Sequence, residues 1–90
     1  MHNIQCSIGI LTFNSGATLR RCLESVKHFD DIVICDGGST DDTRTIALGY
    51  GCKVIEQDQR FKNPNNTIAD FSGVRNQQLK AAKYDWFMFI

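Results

Sequence analysis

Asp36 closes the apolar run Ile32-Val33-Ile34-Cys35 and is followed by Gly37-Gly38. A carboxylate at the end of a buried strand, with two glycines behind it, lies where a ligand can approach the backbone closely. There it can accept hydrogen bonds from a ribose hydroxyl or a base N–H. Equally, it can accept the backbone amides of its own turn, as Asp often does. Arg75 is the second candidate, because Phe71, Arg75, Leu79 and Ala82 follow one another at i, i+4, i+8 and i+11 and so place a guanidinium within an apolar helical stripe. An arginine there needs an anionic partner, either Asp36, a ligand phosphate or both. The alternative is a side chain whose stem covers the sheet while its head reaches water.

Other polar groups carry less. Asp41 and Asp42 fall in the expected first turn of a helix, where negative charge complements the macrodipole. His2 and His28 are isolated, and Met88 reads as core. Asn65-Asn66-Thr67 matches a glycosylation sequon formally, but without a secretory signal it carries little weight. The chain has no G-x-x-x-x-G-K-[ST] phosphate loop, and the turn Thr12-Phe13-Asn14-Ser15-Gly16 is not G-x-G-x-x-G. Kinase-like and dinucleotide-dehydrogenase chemistry therefore lose their main support.

The elements that must position these residues alternate. Cys6 to Phe13 suits a buried strand, and Leu19, Cys22, Leu23 and Val26 form one helical stripe that the Asp30-Asp31 pair should break. Ile32 to Cys35 is a second strand. Ser39 and Asp42 resemble a capping box opening a helix over Thr40 to Leu48, which Gly49 and Gly51 end. Lys53 to Glu56 is a third strand, Asp58 to Asn66 a long polar loop, Ala69 to Ala82 a third helix, and Trp86 to Ile90 a fourth, buried strand. This alternation predicts a Rossmann-like α/β sandwich, with helices on both faces of a parallel sheet in the order 3-2-1-4. Ligands in such sheets bind outside the carboxyl ends of the strands, so the loops after Phe13, Asp36 and Ile90 should form the site.

Ten basic and ten acidic residues cancel, with no block of like charge, which argues against a nucleic-acid partner held on a basic face. The longest apolar run, Trp86 to Ile90, is far short of the roughly 20 residues that cross a bilayer. The N-terminus shows neither a basic region nor a long apolar core, so a cytoplasmic location is expected, extending to a peripheral place at the inner face of a membrane. Cys6, Cys22, Cys35 and Cys52 lack any C-x-x-C spacing and are expected as reduced, buried thiols.

Three ordered blocks resemble the inverting family-two glycosyltransferases. Ser7-Ile8-Gly9-Ile10-Leu11-Thr12-Phe13-Asn14, with the following helix, is similar to that family's opening. Ile32 to Thr43 resembles its "VVDDGSTDGT" segment, and Val74-Arg75-Asn76 with Tyr84-Asp85-Trp86-Phe87 resembles "ARN…GDWI". The resemblance implies a GT-A fold and a nucleoside-diphosphate sugar donor, most often a UDP-sugar. It places Thr12 and Phe13 in the base pocket and Asp36 on the uracil or ribose, and has Arg75 hold that carboxylate and the nucleotide. Asn14 and Gly38 are counted with them as donor-binding positions. Gly37 stands where many members carry a second acidic residue.

The family's D-x-D motif, which holds Mg²⁺ or Mn²⁺ against the donor diphosphate, begins directly after the fourth strand. Residues 1–90 are thus expected to be the nucleotide-sugar-binding part of a transferase domain, truncated before that motif and lacking the catalytic base and the metal ligands. As such the chain should be unable to catalyse transfer. The implied acceptor is a saccharide or a lipid-linked hydroxyl in polysaccharide or lipopolysaccharide assembly, and the Asp58 to Thr67 loop loosely resembles that of lipopolysaccharide-core glucosyltransferases. The outer edge of the fourth strand is expected to recruit a second copy. The rivals are a non-catalytic nucleotide-binding module and a nucleotidyltransferase, which would need a Gly-rich basic loop that this sequence lacks.

Overall fold

The computed structural model describes residues 4–65, 68–84 and 86–89. Four strands, β1 (Ile4–Thr12), β2 (Phe29–Asp36), β3 (Lys53–Glu56) and β4 (Phe87–Phe89), alternate with helices α1 (Gly16–Val26), α2 (Thr43–Gly49) and α3 (Phe71–Ala81). The sheet has the order β3-β2-β1-β4, and every pair is parallel, as the alternation of elements predicts.

Side chains alternate across a strand, and here both faces are covered. Ile8 and Ile10 of β1 and Ile32 and Ile34 of β2 pack with Leu19, Leu23 and Val26 of α1 and with Ile46 and Ala47 of α2. The opposite residues, among them Gly9 and Val33, face α3. The Phe87 ring would lie 2.6 Å from a Gly9 Cβ, so a side chain there would have to displace that ring.

Several local expectations change. Asp30 and Asp31 do not end a helix; they belong to β2, and Asp31 is buried. Its carboxylate accepts from Ser7 Oγ at 2.7 Å and Lys83 N at 2.6 Å and pairs with Lys53 Nζ at 3.1 Å. Burial alone would raise its pKa, and these donors together bring it below the usual carboxylate value. The Ser39–Asp42 capping box does not form, because Ser39 turns its hydroxyl to Asp36, and α2 starts only at Thr43. The N-terminus of α1 is satisfied from outside its own segment, where Gly16 N donates to Asp41 Oδ2 at 3.1 Å.

The inward face of α3 consists of Gly73, Val74 and Gln78, one residue, roughly 100°, from the expected Phe71/Arg75/Leu79 stripe. Phe71 and Leu79 are exposed. A buried glutamine is invisible to a count of apolar residues, and this one is held by strand carbonyls. Nor is β4 buried. It is an edge strand with β1 as its neighbour, and Trp86, Met88 and Phe89 are exposed, so Met88 is not core. The expected bounds at Ile90, residue Asp85, His2 and the sequon residues Asn66 and Thr67 lie outside the described residues.

Candidate functional site at the carboxyl edge of the sheet

Asp36 is 1% exposed, and both carboxylate oxygens are occupied by the protein itself. Oδ1 accepts from Thr12 Oγ1 at 2.7 Å and Ser39 Oγ at 2.6 Å. Oδ2 accepts from Gly38 N at 3.0 Å, Ser39 N at 2.8 Å and Arg44 Nε at 3.1 Å. Burial by itself would raise the pKa of this group. The donors from Ser39, Thr12 and Arg44 outweigh that and hold it down at about 2, so the group is ionised at neutral pH. Five donors saturate a carboxylate. Its demonstrated work is to satisfy its own turn and to fasten β1, β2 and α2 together.

The loop after β1 is latched to the loop after β2. Asn14, in the left-handed region at φ 47°, accepts Thr40 N at 2.8 Å and Asp41 N at 3.3 Å on its side-chain oxygen, and its own N donates to Ser39 Oγ at 2.8 Å. Ser15 N donates to Thr43 Oγ1 at 2.8 Å, and Gly37 N to Thr12 O at 2.8 Å. Asp41 and Asp42 precede α2 instead of lying in its first turn. Asp41 accepts Thr43 N at 3.0 Å and Gly16 N at 3.1 Å, so it serves the starts of both α2 and α1, and Asp42 makes no side-chain cap. Phe13, between the latched residues, is 53% exposed.

The two glycines behind Asp36 differ. A Gly37 Cβ would meet Gln57 Oε1 at 3.1 Å and Lys62 Nζ at 3.2 Å, so the protein fills that space. Gly38, at φ 95°, has nothing within 4 Å of its Cβ position, and it is there that the backbone lies open to an incoming group.

The expected partner of Asp36 is replaced. Arg44, not Arg75, supplies the guanidinium, and its Nη2 also reaches Glu56 Oε1 at 3.0 Å. Arg75 is exposed and stacks over the Phe89 ring, 4.9 Å from its centroid, which places it beside β4. The structure therefore brings together Thr12, Phe13, Asn14, Asp36 and Gly38 and sets Arg75 apart. Arg44 had a legible signal. It is eight residues past Asp36, at the start of the helix whose first turn faces the strand end, where a buried carboxylate requires a cation. Ser39 and Gln57 were missed for another reason: nothing in their spacing marks them as turned inward.

No group of three His, Cys, Asp or Glu among the described residues is gathered to hold a metal ion, and the sequence contains no Asp-x-Asp. The described residues therefore do not fit a divalent cation. All four cysteines are free thiols, with Cys35 and Cys52 buried.

An open, doubly wound parallel sheet whose β1 and β2 loops are latched around an ionised carboxylate defines an α/β domain with its ligand edge at the carboxyl ends of the strands. Residues 7–90 match Glycosyl transferase family 2, and the chain belongs to that family. It is 34% identical over 87 residues to a TPR repeat-containing protein of Synechococcus elongatus, a match covering 96% of this chain and 20% of that protein. It is also 34% identical over 83 residues to the SPbeta prophage-derived glycosyltransferase SunS of Bacillus subtilis, covering 91% of this chain and 18% of SunS. Among solved structures it is similar to glucosyl-3-phosphoglycerate synthase from Mycobacterium tuberculosis in complex with Mn²⁺ and UDP-glucose. That match has a TM-score of 0.70 and 25% identity, and covers 96% of this chain and 32% of the other. The chain thus spans about a fifth of these curated relatives and about a third of that structure.

Proposed function

We propose that this chain is the donor-nucleotide portion of an enzyme that transfers a sugar from a nucleoside-diphosphate sugar, of the UDP class, to an acceptor hydroxyl. The observation that carries the proposal is the latch of Thr12, Asn14 and Ser39 around Asp36 at the ligand edge of a family-two sheet. Membership of the family, and a neighbour that binds UDP-glucose with Mn²⁺ on the same fold, support it.

Each residue then has a task. Phe13 offers an exposed ring to the base. Thr12 and Asn14 hold the floor and wall of that pocket, and Gly38 leaves room for the ribose. Asp36 acts as the anchor of the turn; its oxygens are already occupied, so contact with the nucleotide requires one internal donor to yield. Arg75, outside that cluster, supplies positive charge for the diphosphate at the end of β4. A divalent cation, Mg²⁺ or Mn²⁺, belongs to the whole enzyme and would neutralise the departing diphosphate. No group of three His, Cys, Asp or Glu among the described residues is gathered to hold it, and the isolated chain is proposed to bind donor without turnover.

The acceptor is proposed to be a saccharide or a lipid-linked hydroxyl of polysaccharide or lipopolysaccharide assembly, and the location cytoplasmic or peripheral at the inner membrane face. The resemblance of the blocks and of the loop after β3 supports this. The outer edge of β4, with Trp86 and Met88 exposed beside it, is proposed to pair with a second copy. Sedimentation over a wide concentration range tests that part, and a strictly monomeric species rejects it.

Titration calorimetry tests the central claim. The chain should bind UDP weakly, with a Kd on the order of 0.1–1 mM, and ADP more weakly still. Equal heats for UDP, ADP and buffer would reject it.

A further inference from the structure

Gln78 is fully buried on α3. Its Nε2 donates to Ile10 O of β1 at 3.2 Å and to Val33 O of β2 at 3.1 Å. One amide thus bridges the two strands whose ends carry Thr12 and Asp36. Gln57, also buried, repeats the bridge nearer that edge, donating to Cys35 O at 3.2 Å and, over a longer 3.5 Å, to Thr12 O. The two amides therefore tie the same strand pair two residues apart.

The other end of the Gln78 amide is unmatched, since Oε1 has no hydrogen-bond partner among the described residues. Exchanging oxygen and nitrogen would aim the oxygen at two carbonyls, so the partners fix the orientation. An unmatched buried acceptor destabilises a fold, and methionine at the same place would carry no such defect. The carbonyls of Ile10 and Val33 belong to residues already in the strand ladder, so they do not depend on Gln78 for satisfaction. A polar group that weakens the core yet spans two strands sets geometry more than stability.

We infer that Gln78 is a positioning residue: it fixes the seat of α3 on the paired strands β1 and β2, and with it the place of Arg75 beside β4, and so holds in register the two strands whose ends shape the donor site. The inference rests on the function proposed above only in its ligand-binding arm.

The test is Gln78→Met in the whole 90-residue chain, with Ile46→Val as a control that loosens the opposite core. The melting temperature of Gln78→Met should equal or exceed that of the unaltered chain. The amides of Gly37, Gly38 and Ser39 should nonetheless exchange about tenfold faster with deuterium, while those in the centre of β2 stay protected. UDP affinity should fall about tenfold, the same free-energy scale as that local opening. The control should shift all amides together and leave affinity unchanged. A Gln78→Met chain that fails to fold, melts lower, or keeps the turn amides as protected as before overturns the inference. If the unaltered chain binds no UDP, the function proposed above fails, and the exchange comparison still decides the role of Gln78.

Discussion

Arg44 donates its Nε–H to Asp36 at 3.1 Å and its Nη2–H to Glu56 at 3.0 Å, so one guanidinium spans two carboxylates that are register partners on neighbouring strands. Parallel pairing sets those two acids side by side at the edge of the sheet. The first residues of α2 then bring a cation that pairs with both. The arrangement separates what holds the turn from what is free to meet a ligand, and that separation can be measured.

Arg44→Met should lower unfolding stability only modestly, because the Arg44 side chain is 41% exposed and screened by solvent. Arg75→Ala should leave stability within about 0.5 kcal/mol, as expected for an exposed side chain, yet weaken UDP binding. Urea unfolding and calorimetry on the two variants give the comparison. A larger stability loss in Arg75→Ala would contradict the pairing described.

Acid should expose the contribution of Asp36. Its folded pKa of about 2 lies below the ordinary 3.8, so its stabilisation is complete above the unfolded value. It is lost as pH falls through the folded one. Between about pH 5 and pH 2 the chain should lose on the order of 2 kcal/mol from this group, with Asp31, also depressed, adding in the same direction. Asp36→Asn should be less stable at pH 7 and show a flatter decline toward acid. Equal slopes for the two proteins would remove Asp36 as the cause.

Asn14 combines a left-handed backbone with two accepted amides. Asn14→Gly keeps the backbone and loses the acceptor, whereas Asn14→Ala loses both. The expected order of stability is Asn, then Gly, then Ala, with the last lower by about 1–3 kcal/mol. Thermal melts of the three suffice. Alanine equal to asparagine would mean that the latch between the β1 and β2 loops contributes nothing.

The thiols should divide into two classes. Burial pushes Cys35 up to about 11, with the neighbouring Asp36 charge adding and Lys62 opposing. Burial, with a smaller contribution from Cys22, does the same for Cys52. At pH 8 a maleimide should label Cys6 and Cys22 first, since thiolate is the reactive form and both are partly exposed. Mass spectrometry that finds Cys35 modified as fast as Cys6 in the folded chain would refute the burial argument.

The order of strands and their parallel sense were legible in the residues themselves. They follow from short-range signals: β-branched runs such as Ile32 to Cys35, a helical stripe at Leu19, Leu23 and Val26, and glycines after Asp36. Resemblance blocks at Ser7 to Asn14 and Ile32 to Thr43 added the family. These signals depend on the period of the backbone and on turn chemistry, both of which a linear chain displays.

Three matters were decided only in three dimensions. Which arginine meets Asp36 was decided by the two faces of the sheet: Asp36 alternates with Ile32 and Ile34 onto the side that carries α2 and Arg44, whereas α3 and Arg75 cover the other side, and α3 is itself turned by one residue from where apolar counting put it. Ser39 bonds a carboxylate instead of capping a helix because the buried Asp36, shared with Thr12 and Arg44, lies beside it in the folded turn. Burial of β4 depended on what lies along its outer edge, and composition carries no information about neighbours. In each case the outcome depends on neighbours from other elements, and only the folded arrangement shows which of them meet.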